Sequence, residues 1–349
     1  MAKVEKLTLE QALAEVNKKW GADVAHKGVK VGDYKRIPFT SPRLNYITYG
    51  GLPMGKLIEF YGELHSGKTT TALDVVANYQ IMEDAKTVLW VDPEFALDSV
   101  WAGKIGVDLD NMIHLQPDTQ SAEDIFSDTL KIMRTGEIGL VVIDSFGAMM
   151  SSKAYSEDVG DKQYGGISMA LTDFSKRALV LTNKYNCTVI GLNQLRDKLN
   201  STYGGTTTVG GRGWAYDTTV RLDFRKGYSF DEKYSKVTND AENPCGNIVN
   251  VAMTKNRTCP PNRRNGYYTL RYDIGIDYMY DLVDVLSTKY DVIYRGANSS
   301  WYELRDVETG ETIKKLQGQG AVSEFLSDGT NIDILKMYET FLDKKIKED

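Results

Sequence analysis

Residues 62–70, GELHSGKTT, constrain the fold more than any other stretch of this chain. An apolar, β-prone run, KLIEFY, leads into them, and a helix-forming run, TTTALDVVANYQIM, leads out. Glycine, four free positions, then Gly67, Lys68 and Thr69 describe a turn whose backbone N–H groups and helix N-terminus converge on anionic oxygens. The pattern carries meaning only when a strand enters and a helix leaves, and here both conditions are met. In such a loop Gly62, Glu63, Leu64, His65, Ser66, Gly67, Lys68, Thr69 and Thr70 would wrap a phosphate chain. Lys68 would supply a point charge to the outer phosphates, and the Thr69 hydroxyl a ligand to a bridging Mg²⁺.

The same strand-then-helix rhythm continues through the body. KTVLWV, MIHL, LVVID and TVIGLN are short β-rich apolar runs, and helical patterns occupy 69–82 and 121–134. This alternation predicts parallel strands joined by crossover helices, an α/β sheet covered on both faces. TTVRLDF, NIVNVAM and YYTLRYD follow without long helices and predict an antiparallel extension, so the sheet is mixed but mainly parallel. Ahead of the body, Leu9, Leu13, Val16 and Trp20 fall at helical spacing behind a Thr8 cap with Gln11 three residues on. That helix, a Gly/Lys-rich connector and the β-type stretch RIPF suggest an attached arm. Residues 1–36 are assigned to the arm, 37–273 to the core and 274–349 to a small α+β domain containing DYMYDLVDVLSTKY and IDILKMYETFLDKKIK.

Composition excludes several classes. With 42% hydrophobic and 26% charged residues and eight prolines, the chain is neither disordered nor fibrous. It has no run of eighteen apolar residues and no apolar h-region at its start, so a soluble, cytoplasmic protein without a membrane partner is expected. Three cysteines without CxxC or Cys/His spacing point to reduced thiols rather than disulfides or zinc. The net charge of -6 argues mildly against a nucleic-acid partner.

A phosphate chain needs a metal partner and, for hydrolysis, a base. Asp144 ends the apolar strand GLVVID, where a carboxylate can hold the metal through water, though a strand-ending turn residue looks the same. Asp92 and Glu94, in VLWVDPEFALD, end the next strand candidate. Glu94 is the choice for polarising a water, while Asp92 reads better as a cap. Trp101 could stack on a base or belong to the core.

The series GGLPMGKLIEFYGELHSGKTT, VDPEFALDSVWAGKIGVDLDNMIHLQPDT, VVIDS, VGDKQYGG, GLNQLR, GGRGWAYDTTVRLD and TKNRTCPP closely resembles the RecA recombinases, in order and at similar spacing, from about residue 7 to about 325. The resemblance implies an ATP- and Mg²⁺-dependent enzyme, a DNA-dependent ATPase that forms a helical filament of its own copies on single-stranded DNA and exchanges that strand into homologous double-stranded DNA. It further implies that Gly62–Thr70 is the phosphate loop, Glu94 the catalytic glutamate, Trp101 the aromatic over adenine, Asp144 the metal-side carboxylate and Gln194 the γ-phosphate sensor. Lys255 and Arg257 match two cations that reach the neighbouring subunit's γ-phosphate. The arm, through Leu9, Leu13, Val16 and RIPF, would dock on the next protomer, a heterologous contact that propagates rather than closes. Single-strand-binding and loader proteins are further partners that the resemblance implies. Bacteriophages carry such divergent members, which would place the protein in a host cytoplasm. A ring-forming motor on the same core and a non-catalytic filament-loading paralogue remain as alternatives.

Residues 153–166 and 195–212 resemble the family's two DNA-binding loops. Within them Tyr164, Gly165, Arg196, Lys198, Tyr203, Thr206, Thr207, Thr208, Gly210, Gly211 and Arg212, with Arg225 and Lys226 on the following strand, are the expected DNA contacts. Residues 254–272 carry five basic residues and no acidic one, so basic surface is local even though the mean charge is negative. Three departures from the family stand out: Met169 and Lys176 where arginines are usual, Tyr164 in place of methionine, and an end, FLDKKIKED, without a long acidic extension. The last implies weaker self-restraint of DNA pairing.

Overall fold

The computed structural model describes residues 7–21, 24–27, 34–117, 121–156, 166–197, 205–238 and 243–348. They fall into two compact units divided between Lys35 and Arg36. The first holds α1 (Leu9–Trp20), with a complete capping box: Gln11 N donates to the Thr8 hydroxyl and Thr8 N to the Gln11 side chain. Its apolar residues Leu9 and Trp20 are exposed, and no residue of α1 is buried.

The second unit runs from β1 (Arg36–Ile37) through α2 (Pro42–Thr48), β2 (Leu52–Pro53), β3 (Leu57–Gly62), α3 (Lys68–Gln80), β4 (Thr87–Val91), α4 (Ser99–Ile105), β5 (Met112–Leu115), α5 (Ala122–Met133) and β6 (Ile138–Ile143). It continues with α6 (Ser152–Ser156), α7 (Ser168–Tyr185), β7 (Thr188–Asp197), β8 (Thr206–Thr208), α8 (Gly211–Asp217), β9 (Val220–Phe230), β10 (Gly246–Asn256), β11 (Asn265–Arg271) and β12 (Gly275–Ile276). The C-terminal part comprises α9 (Tyr278–Thr288), β13 (Ile293–Arg295), β14 (Trp301–Arg305), β15 (Thr312–Gln317), α10 (Gln319–Ser327) and α11 (Ile332–Glu348).

The main sheet has the order β12-β11-β10-β9-β3-β7-β6-β4-β5, with β8 beside β7. From β9 to β5 every neighbouring pair is parallel, and from β9 to β12 every pair is antiparallel; the antiparallel extension is as expected, except that its first strand, β9, is also parallel to β3. Alternation along the parallel strands feeds two cores. Ile58, Phe60, Val88, Trp90, Val142 and Ile190 pack with α3, while Leu57, Leu89, Val141 and Val189 pack with α5 and α7 around Phe126, Phe174 and Trp214. Two faces buried by helices are what near-continuous apolar strands require.

A third cluster, including Leu282, Leu286, Leu304, Tyr338 and Leu342, lies under the three-stranded antiparallel sheet β13-β14-β15. This segment is continuous with the second unit, and 37–273 and 274–349 remain a proposed division within it. RIPF gives only a two-residue strand, paired with Leu52–Pro53. β9 and β10 extend well past their apolar centres into a long hairpin, a length set by cross-strand pairing rather than by apolar content.

Candidate functional site

Four strands end at the carboxyl edge of the sheet, and each delivers one polar element. β3 leads into residues 62–67, β4 into Asp92 and Glu94, and β6 into Asp144, while β7 carries Gln194. The ladder sets their levels: Gly62 pairs with Gln194, and Val91 with Ile143. Residues more than a hundred positions apart thus share the edge where open α/β sheets hold ligands.

Gly67 occupies the left-handed region at φ 89°, and a Cβ there would come within 2.8 Å of the Tyr268 hydroxyl, so glycine is required twice over. Lys68 opens α3, largely buried, and its Nζ donates to the carbonyls of Gly62 (3.2 Å) and Glu63 (2.6 Å) and to Ser66 Oγ (3.3 Å). Burial lowers its pKa, against the opposing pull of Asp144, Glu94 and Glu63. The Thr69 hydroxyl donates to Asp144 Oδ2 at 2.8 Å. Burial pushes Asp144 up to about 6, and the Thr69 bond works the other way. A hydroxyl and a carboxylate in contact at a phosphate loop form an all-oxygen pair that suits a hard divalent cation. Among the described residues no three His, Cys, Asp or Glu side chains gather around a metal position, so such a cation would also depend on ligand oxygens.

Asp92 is buried and braces its own loop, accepting from Ala96 N (3.1 Å) and Leu97 N (3.2 Å), with His114 Nε2 at 3.3 Å. Glu94 is exposed, and its Oε1 accepts from the Ser145 hydroxyl and from Gln194 Nε2 (3.2 Å). Trp101, on α4, donates from Nε1 to Thr70 Oγ1 at 3.3 Å and lines a cavity of about 540 Å³ together with His65–Thr70.

The far wall of that cavity comes from the antiparallel strands: Lys226, Asn247, Leu270 and Tyr272, with the Tyr272 hydroxyl donating to Asn247 Oδ1 at 3.0 Å. Asn247, Leu270 and Tyr272 are functional candidates that sequence spacing misses, since only strand pairing brings them beside a loop far earlier in the chain. Lys226, grouped by sequence with the DNA contacts, lies in this cavity wall instead. Successive residues of β9 point to opposite faces, so Arg225 and Lys226 part company.

Arg225 faces a groove of about 660 Å³ together with Thr206, Thr207, Thr208, Gly211 and Arg212, and pairs with Asp223 (3.2 Å) and Glu63 (3.4 Å). A second recess, about 450 Å³, takes in Arg196, Thr207, Thr208, Gly210 and Gly211. Arg196 Nη2 donates to the Gly147 carbonyl at 3.2 Å. Tyr164, Gly165, Lys198 and Tyr203 lie outside the described residues. Arg221 pairs with the fully buried Glu59 and stacks on Tyr61 at 4.6 Å, a structural employment. Burial raises the Glu59 pKa and Arg221 opposes it.

Lys255 and Arg257 do not line the cavity of their own chain. Lys255 Nζ donates to the carbonyls of Ala215 and Tyr216 (both 2.8 Å) at the end of α8, and burial with Arg257 and Arg221 nearby brings its pKa down to about 8.

A parallel sheet with a strand–GxxxxGKT–helix unit and acidic residues on adjoining strand ends defines a phosphate-loop α/β protein. A family model described as the RecA N-terminal domain matches residues 7–277. Protein RecA of Fusobacterium nucleatum is 33% identical over 315 residues, covering 89% of this chain and 79% of its own length. Protein RecA of Clostridioides difficile is 33% identical over 302 residues (86% and 79%), and Protein RecA of Caulobacter sp. strain K31 is 33% identical over 348 residues (98% and 91%). The chain belongs to the RecA family.

Proposed function

We propose that this protein is a DNA-stimulated ATPase that assembles as a helical filament on single-stranded DNA and promotes homologous pairing and strand exchange. The observation that carries this is the joint hold of Ser145 and Gln194 on Glu94 beside the phosphate loop. Gln194 lies on β7, the strand that runs on into the expected DNA segment, so one side chain touches the hydrolytic carboxylate and stands at the root of the DNA side.

In this reading the loop amides and Lys68 orient the triphosphate, and Lys68 exchanges its bonds to Gly62 and Glu63 for phosphate oxygens. Trp101 and Tyr272 border the base. Thr69 and Asp144 would hold Mg²⁺, which supplies charge neutralisation between the phosphates when bound. Glu94 accepts the proton of the attacking water. Lys255 and Arg257, away from their own cavity, serve the neighbouring copy and stabilise charge developing on its γ-phosphate, so assembly precedes turnover. The grooves around Thr206–Arg212 and Arg196 take the DNA backbone, to which each neutralised phosphate adds about -0.7 to -0.9 to the salt slope of log K.

ATP hydrolysis measured with and without single-stranded DNA, together with D-loop formation, tests the reading. Turnover that rises with DNA, and D-loops formed with ATP, are expected. Equal turnover by isolated monomers without DNA overturns it, and closed rings that unwind duplex point to the motor alternative.

A further inference from the structure

Ser145 enters the ATPase reading only as a partner of Glu94, with no role of its own. It follows Asp144 at the end of β6, is 2% exposed, and its hydroxyl donates to Oε1 of Glu94. Gln194 Nε2 reaches that same oxygen at 3.2 Å, and among the described residues no donor is recorded on Oε2. The two partners of the Ser145 bond are unequal. Glu94 is exposed on the β4–α4 connection and has three rotatable side-chain bonds, whereas Ser145 is buried and has one. A long side chain on an exposed connection keeps a single geometry only when something rigid holds its tip. Asp92 already holds the root, since its carboxylate binds the amides of Ala96 and Leu97 in the same connection.

We infer that Ser145 is a positioning residue for hydrolysis: its hydroxyl fixes Oε1 of Glu94 so that Oε2 is the oxygen presented to the attacking water. The inference rests on the ATPase reading above. The step it serves balances simply. The water oxygen bonds to the γ-phosphorus and gives its proton to Oε2. The bond from that phosphorus to the β–γ bridging oxygen breaks, and ADP leaves with the electron pair. Ser145 transfers nothing. Gln194 shares Oε1, so a change of its position shifts the load onto Ser145 without freeing the carboxylate.

Steady-state ATP hydrolysis by the full chain, saturated with single-stranded DNA, separates the possibilities. Absence of DNA-stimulated turnover in the unaltered protein would defeat the ATPase reading itself, before Ser145 is at issue. Given turnover, Ser145→Ala is expected to lower kcat about tenfold or more with KM for ATP unchanged, the signature of a misplaced group rather than lost binding. Ser145→Cys, close in size but a weak donor, should lower kcat with an unchanged melting temperature, and so covers the case in which the alanine variant folds poorly. In a Glu94→Asp background the shortened carboxylate falls short of Ser145, and adding Ser145→Ala should change kcat less than about twofold. Wild-type kcat in both Ser145 variants, or an equal loss on both backgrounds, would overturn the inference and leave a hydroxyl that merely fills buried space.

Discussion

Two polar networks in this protein are built on opposite plans. At the carboxyl edge of the sheet, Lys68 bonds its own loop, Thr69 bonds Asp144 and Glu94 is shared by Ser145 and Gln194. Lys68's partners are nearby backbone carbonyls that lose little when a ligand takes their place. At the seam between α2 and α9, Ser41 bonds Asp281, and Arg43 bonds Asp284 and Thr288 while stacking on Tyr267 at 4.9 Å. Those partners lie about 240 positions away, and they tie the C-terminal segment to the sheet. Lys68, whose partners are local and exchangeable, can serve a ligand, whereas Arg43, whose partners are distant and buried with it, serves the fold.

The contrast can be broken most forcefully at Lys68. Lys68→Ala should cut DNA-stimulated ATP hydrolysis about a hundredfold or more while moving the melting temperature by no more than about 2 °C, because a desolvated charge is removed with the side chain. A large melting shift would put Lys68 in the structural class. Arg43→Ala should do the reverse. Stranding Asp284 and Thr288 should cost about 3–5 kcal/mol in urea unfolding, with kcat per folded molecule preserved. Retained stability would show the seam to be dispensable.

A third prediction concerns Asp281, whose pKa burial pushes up to about 8, against bonds from Ser41 and the Thr269 amide. The folded chain then keeps a proton that the unfolded chain has given up, so this group's contribution is fully present at acid pH and fades as pH rises toward about 8. Asp281→Asn should flatten that decline in urea midpoints between about pH 5 and pH 8. A slope matching the parent's would remove Asp281 as its source.

Much of this was legible in the residues. The alternation of apolar runs and helices predicts the parallel half of the sheet, and the Thr8–Gln11 capping box and the glycine-rich turn are found where the local pattern puts them. Short-range rules suffice there because the deciding contacts lie within a few positions. Lys226, Asn247, Leu270 and Tyr272 escape such rules. Their place in the cavity depends on the β9–β10–β11 registers, and no spacing in the chain encodes which strand lies beside β3. Ser145 escapes for another reason: VVID reads as a strand end, and nothing in it announces that the following hydroxyl faces a residue fifty positions earlier. β13–β15 read from the residues only as part of a small α+β region, since polar edge strands such as TIKKLQ carry little apolar periodicity.

Gly210 precedes α8, near the end of the stretch resembling the second DNA loop, and a single methyl at its Cα would stand 2.2 Å from Leu171 Cδ2 on α7. The start of α8 therefore meets α7 at a point where the backbone leaves no room for a side chain, and any residue larger than glycine at 210 would force the two helices apart.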